Sequence, residues 1–171
     1  MVHFHLNRSF NLNPLNNFLS KPIIYHKKKI IVSTDTLTYI IDSETGNTIS
    51  KLNFSSIVRP LINNNYLFLI NRNNFIIAFD LINNKILYAY SIDEQIADSL
   101  KIKKQKVSLK NFMLVNNDFL FFLNNSYILY FNIKGKLKEI KKLNSKISSE
   151  PIFVNSTLLY LDKKNRLRVL N

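Results

Sequence analysis

No cysteine and no tryptophan occur in the 171 residues, and glycine and proline are scarce, at 2 and 4. Without cysteine the chain has no disulfide framework, thiol nucleophile, thiolate-bound zinc or lipid-modified cysteine. No apolar run approaches the ~20 residues of a membrane-crossing helix. Residues 1–20 carry Asn, Arg and His through their middle, so they lack the apolar core of a signal peptide. A Gly-rich phosphate loop, a paired-carboxylate signature and a serine nucleophile elbow are also missing. Histidine is limited to His3, His5 and His26. His3 and His5 share one face if extended, but no third metal ligand lies near them in the sequence. His26 follows Tyr25 at an expected turn, where a solvated ring is the default. No metal, cofactor or catalytic group is therefore expected, and the chain reads as a non-enzyme.

What is present is apolar and basic. Hydrophobic residues make up 46%, too much for a disordered chain and enough for one domain with a sizeable core. Asparagine clusters such as Asn63-Asn64-Asn65, Asn73-Asn74, Asn83-Asn84, Asn116-Asn117 and Asn124-Asn125 stand where turns would otherwise need glycine. Asn tolerates the left-handed region and hydrogen-bonds its own backbone, so it can fill that role. The formal net charge is +13. The lysines are spread along the chain, with the densest group at Lys101, Lys103, Lys104, Lys106 and Lys110. That spread reads as a compositional bias rather than a nucleic-acid footprint, so no nucleic acid is expected. A basic nucleic-acid-binding surface is kept as an alternative. The 8 Tyr and 13 Phe fall largely inside expected strands, as at Phe119, Phe121, Phe122, Tyr127, Tyr130 and Phe131, and are assigned to core packing.

Apolar runs of four to eight residues, rich in Ile, Leu, Phe, Tyr and Val, alternate with Asn/Lys/Asp/Ser clusters, which is a strand signature. They recur in units of four. Asp42 reappears as Asp80 and Val115 as Val154, a period of about 40 residues. Four short strands at that period predict an all-β, partial β-propeller of about four antiparallel blades. The units are placed at 21–56, 57–92, 107–145 and 146–171, after an N-terminal arm or blade end at 1–20. An insertion at 93–106 carries Ile96-Ala97 and Leu100, spaced for one or two helical turns. The last unit, ending at Asn171, has three expected strands, which suggests a fragment or truncated gene product. A meander apolar on both faces cannot bury both alone, so the units are expected to stack face to face. An open stack would leave apolar faces bare, and the isolated chain is expected to self-associate.

The most specific local signal is the third hairpin of each unit: Ile40-Ile41-Asp42-Ser43-Glu44-Thr45-Gly46, then Ala78-Phe79-Asp80-Leu81-Ile82-Asn83-Asn84, then Asn132-Ile133-Lys134-Gly135. The Asp can accept backbone N–H groups of its turn, and the Gly or Asn can supply positive φ. This pattern resembles the PQQ-like, quinoprotein-type propeller repeat, Ala-x-Asp-x-x-Thr-Gly-x-x-x-Trp. Asp42, Thr45 and Gly46 match it in the first unit. Ala78, Asp80 and Tyr88 fall on its Ala, Asp and Trp positions in the second, with Asn83-Asn84 for Thr-Gly. Gly135 keeps the glycine in the third.

The resemblance implies a non-catalytic scaffold of the BamB-type branch of that family. That branch binds protein partners of the outer-membrane barrel-assembly machinery on the periplasmic face. Membrane association would come only through partners or a lipid anchor outside this chain. A fragment of a PQQ-dependent dehydrogenase is the enzymatic alternative, but such enzymes resemble this chain less, since their site draws on Trp and Cys. Partner contact is assigned to the inserted connection, with Asp93, Glu94, Lys101, Lys103 and Lys104 as an exposed charged group. Asp98 adds to its acidic part.

Overall fold

The computed structural model of the chain describes residues 23–170. The arm at 1–20, with His3 and His5, lies outside the described residues, as does Asn171. The chain divides into two compact units, Met1–Ala89 and Tyr90–Asn171.

The first unit opens with a four-stranded antiparallel sheet of β1 (Ile24–His26), β2 (Lys29–Ser33), β3 (Thr38–Asp42) and β4 (Thr48–Leu52). A second sheet of the same order follows: β5 (Leu61–Asn63), β6 (Tyr66–Ile70), β7 (Phe75–Asp80) and β8 (Lys85–Ser91), whose last two residues belong to the second unit. The second unit continues with one helix, α1 (Ile92–Leu100). Its first sheet is β9 (Leu109–Val115), β10 (Asp118–Leu123), β11 (Tyr127–Asn132) and β12 (Leu137–Lys142). A three-stranded sheet ends it, with β13 (Ile152–Val154), β14 (Thr157–Leu161) and β15 (Leu167–Leu170). In every sheet the strands lie in chain order, so each is a simple meander without crossovers.

Strand alternation sends each sheet's apolar residues to both sides. In the first unit Ile31 and Ile40 of the first sheet pack with Leu67, Leu69, Phe79 and Leu81 of the second. The other face of the first sheet holds a separate cluster of Val32, Tyr39 and Ile41. Buried serines tie the two sheets together. Ser56 N–H donates to Ser33 Oγ at 2.8 Å, and Ser56 Oγ accepts from Ile70 N–H at 3.2 Å. In the second unit Leu120, Phe122 and Ile128 meet Leu158 and Tyr160 across the two sheets. Lys110 Nζ reinforces that junction by donating to the carbonyls of Ile147 and Ser148, at 2.6 and 2.9 Å.

The opposite face of the third sheet carries an aromatic cluster. Phe112 stacks on Phe121 with ring centroids 5.2 Å apart, and Phe131 meets Phe121 edge-on at 4.9 Å. The register explains it, since Phe112 pairs with Phe121 and Phe119 with Phe131, all on one face. These rings are fully buried, so the Phe-rich strand is core.

Two-residue hairpins join the first and second strands of the sheets. Both central residues have positive φ at Asn116-Asn117 (49° and 65°) and Asn155-Ser156 (49° and 63°), the geometry that matches strand twist. At the first hairpin, Lys27 and Lys28 take the same conformation, at 44° and 64°, although nothing in a lysine favours it. Between β10 and β11 the positive φ falls on Ser126 (69°), not on Asn124-Asn125. His26, at the end of β1, is half-buried with Nε2 unpartnered, not the solvated ring expected.

Two outcomes follow from this packing. Phe121→Ala should lower the unfolding free energy by about 3–5 kcal/mol in urea titration, because a fully buried ring with three ring partners, Phe112, Phe119 and Phe131, is lost. Lys27→Asn with Lys28→Gly should raise it by about 1 kcal/mol, because the left-handed penalty of two Cβ-bearing residues falls.

Candidate functional site

The connection from β8 to β9 is where the repeat is interrupted, and it is built to hold a fixed shape. Ser91 caps α1: its Oγ accepts from Glu94 N–H at 3.2 Å, with Asp93 and Glu94 in the first turn. Lys101 ends the helix in the left-handed conformation (φ 53°), and its N–H returns to the Ala97 and Asp98 carbonyls. The helix runs nine residues, about two and a half turns.

Three hydrogen bonds and one cation–π contact fasten this connection, with the end of β8, to the third sheet or to its own loop. Gln95 Nε2 donates to the Gly135 carbonyl at 2.8 Å, and Gln95 Oε1 accepts from Leu137 N–H at 2.8 Å. Lys136 Nζ lies 4.0 Å from the Tyr90 ring centroid. Asp93 Oδ1 accepts from Val107 N–H at 3.0 Å, holding the loop after the helix.

That last contact corrects the expectation of an exposed acidic patch. Asp93 is buried, on the same side of α1 as Ile92, Ile96 and Ala97. Glu94 and Asp98 are exposed, and Glu94 is paired with Lys104 Nζ at 2.6 Å, a solvated pair worth little. Lys101, Lys103 and Lys106 are exposed and form no ion pair with another described residue.

Between helix, loop and sheet lies a groove of about 420 Å³. Ile96, Ala97 and Leu100 form its helical wall, and Ile102, Lys103, Gln105 and Val107 its loop wall. Leu123, Asn125, Tyr127, Leu129 and Ile140 of the third sheet complete it. Leu100 and Ile102 are 50% and 51% exposed at its margin. Of the five residues expected to contact a partner, Asp93 and Lys103 line this groove, while Glu94 and Lys104 pair beside it. Sequence reasoning missed Gln95, Leu129 and Ile140, since their neighbours lie tens of residues away. A buried apolar face on the insertion was the only local hint.

The hairpin residues form a second recurrent feature. Asp42 Oδ1 accepts from Glu44 N–H (3.0 Å), Thr45 N–H (2.7 Å) and Thr45 Oγ1 (3.0 Å), while Gly46 takes φ 76°. Asp80 Oδ1 accepts from Ile82 and Asn83 N–H at 2.8 and 3.0 Å, and Asn84 takes φ 51°. Ala78 is buried in β7 on the strand leading into that turn. Asn132, Asn71 and Asp162 share a tighter version: the side-chain oxygen accepts from the N–H groups two and four residues on. The residue three positions on then takes positive φ, as Gly135, Asn74 and Asn165.

Asp162 is the most enclosed of these, with its side chain 1% exposed. Burial raises its pKa, but hydrogen bonds from Arg166, Lys164 and Arg168 outweigh it and hold the carboxyl well below the usual carboxylate range. Hydrogen bonding in the turn likewise lowers Asp42, chiefly through Thr45, and Asp80, chiefly through Asn83. All this chemistry is consumed within turns. Among the described residues no group of three or more His, Asp or Glu could hold a metal, and no helix is long and apolar enough to cross a membrane.

The fold and site together define the class: an all-β partial β-propeller, whose four antiparallel sheets follow the blade pattern. The chain is similar in structure to BamB from Moraxella catarrhalis, with TM-score 0.68 at 11% identity over 88% of this chain and 44% of that one. It matches the computationally designed Ika4 protein with TM-score 0.62 at 10% identity, over 88% of this chain and 89% of that one. It matches the C-terminal WD40 domain of Sif2 with TM-score 0.62 at 15% identity, over 89% and 43%. The chain thus spans less than half the length of the BamB and Sif2 chains it resembles. No protein-family model and no curated protein matches the sequence.

Asp162 generates a pH prediction. A depressed folded pKa means its stabilisation is present above the ordinary value of 3.8 and is lost as pH falls below it. Asp162→Asn should lower the urea midpoint at neutral pH. It should also flatten the fall in midpoint below about pH 4 relative to the parent chain. An unchanged acid limb in the variant would assign the acid sensitivity to other carboxylates.

Proposed function

We propose that the chain is a non-catalytic protein-interaction scaffold with a BamB-like role in assembling outer-membrane β-barrel proteins, working at the periplasmic face of that membrane. The repeat pattern at Asp42-Thr45-Gly46 and Ala78-Asp80 supports the family, and the likeness to BamB supports the fold class. The observation that carries the scaffold reading is the connection after β8. It departs from the repeat, is rigidly capped and fastened, and borders an apolar groove with Leu100 and Ile102 half exposed. Connections longer than a fold requires tend to carry its function. Asp42, Thr45, Gly46, Ala78, Asp80, Asn84 and Gly135 have structural roles in this reading. Glu94, Lys101, Lys103 and Lys104 flank the contact surface, and Asp93 shapes it from within.

Immobilised chain exposed to solubilised envelope proteins of an outer-membrane-bearing bacterium should enrich components of the barrel-assembly machinery. Leu100→Glu with Ile102→Glu should reduce that capture severalfold without lowering the thermal midpoint. Absence of those components from the parent chain's eluate would remove the BamB-like role.

The fourth sheet bears on assembly. Its face away from the third sheet carries Ile152, Val154, Leu161, Leu167 and Val169, all exposed, and register places Ile152, Leu159 and Val169 side by side. The facing sides of the first and second sheets, and of the third and fourth, cover each other, so a second copy is the expected cover for this face in the isolated chain. Sedimentation should show concentration-dependent association, and Leu167→Glu with Val169→Lys should shift it towards monomer. A parent chain that stays monomeric at all concentrations would disprove this.

A further inference from the structure

We propose that the groove between α1 and the third sheet receives a short acidic peptide segment of a partner protein. Its one or two large apolar side chains seat in the groove, and its carboxylates lie against Lys101, Lys103 and Lys106. This rests on the scaffold reading and names the chemistry of what the scaffold holds.

The groove supplies the apolar half. At about 420 Å³ it falls in the range of ligand sites. Ile96, Ala97, Leu129 and Ile140 give it an aliphatic interior recessed between a helix and a sheet. Asp93 is the one carboxylate in its lining, and it is engaged by the Val107 N–H. The Gln105 and Asn125 side chains line the margin and are exposed, where they can meet a peptide backbone.

The loop supplies the charge. Lys101, Lys103 and Lys106 project within six residues of one another, and only Lys104 between them has a carboxylate partner. Three like charges in so short a span repel one another, and an acidic segment relieves that repulsion. The backbone beneath them is held by the left-handed Lys101 cap at one end and by Val107 at the other. The charges are therefore presented from a fixed frame.

Other ligands fit less well. Single-stranded nucleic acid binds on aromatic platforms, whereas Tyr127 is the only ring in this lining. A membrane surface would touch Leu100 and Ile102 at the margin but leave the recessed aliphatic residues unfilled.

The test uses the full chain and fluorescence anisotropy. The probe is a short fluorescein-labelled peptide of alternating Glu pairs and leucines. Its comparators are the same peptide with Leu→Ser, the same with Glu→Gln, an oligo-dT strand, and vesicles of phosphatidylglycerol and phosphatidylcholine. The acidic leucine peptide should bind best, with each altered peptide weaker by about tenfold or more. Combined Lys101→Gln, Lys103→Gln and Lys106→Gln should weaken it to a similar degree, and Ala97→Trp should block it by filling the groove. If Ala97→Trp lowers the melting midpoint, Leu100→Ser with Ile102→Ser serves in its place, since both residues are half exposed.

Equal binding of the Leu→Ser peptide would overturn the proposal in favour of bare charge attraction. So would preference for oligo-dT or vesicles, or indifference to every substitution. Capture of assembly components by a chain that binds none of the peptides would sink this inference and leave the scaffold reading standing. Acidic-peptide binding by a chain that captures no such component would support the inference and remove only the BamB-like role.

Discussion

A four-stranded meander that is apolar on both sides cannot exist as a single layer, and everything else in this chain answers to that constraint. β6 shows it in one line: Leu67 and Leu69 turn to the first sheet, while Phe68 and Ile70 are equally buried on the reverse side. β10 repeats it, with Leu120 and Phe122 towards the fourth sheet and Phe119 and Phe121 in the aromatic cluster opposite. Burying the apolar side chains of either face is worth several kcal/mol, so sheet must cover sheet. On the fourth sheet one face presents a row of exposed aliphatic side chains, Ile152, Val154, Leu161, Leu167 and Val169.

Stacking of this kind requires tight hairpins, and glycine is too scarce to make them. The chain substitutes a side-chain device. An Asp or Asn at the end of a strand accepts two backbone N–H groups of its own turn, and a residue three or four places on adopts positive φ. The resemblance to a quinoprotein-type repeat at Asp42 and Asp80 is, physically, this device at one fixed place in the blade. Asn71 and Asp162 use it elsewhere, so the turn chemistry alone is less diagnostic of a family than its recurrence in register.

The connection carrying α1 stands apart from both rules. Its helix is amphipathic and is indicated by the spacing of Ile96, Ala97 and Leu100, whereas its start at Ile92 and the Ser91 cap emerge in the structure. Asp93 illustrates what local reading misses. As one of several acidic residues before a lysine run it reads as solvated, yet its helical position turns it inward, where Val107 N–H engages it. The groove is likewise absent from any short stretch of sequence, since its walls come from residues 96–107 and its floor from residues 123–140.

The sequence by itself determined the strands, their grouping in fours and their meander order, because period-two apolar runs and Asx turns act between near neighbours. Tyr66–Ile70, Phe75–Asp80 and Tyr127–Asn132 are legible residue by residue for that reason. Tertiary structure decided which face of each strand meets which sheet, where Gln95 fastens the helix, and that a cavity remains beside it. Those outcomes depend on side chains some 40 residues apart meeting with matched shape and hydrogen-bonding geometry. No local pattern encodes such meetings.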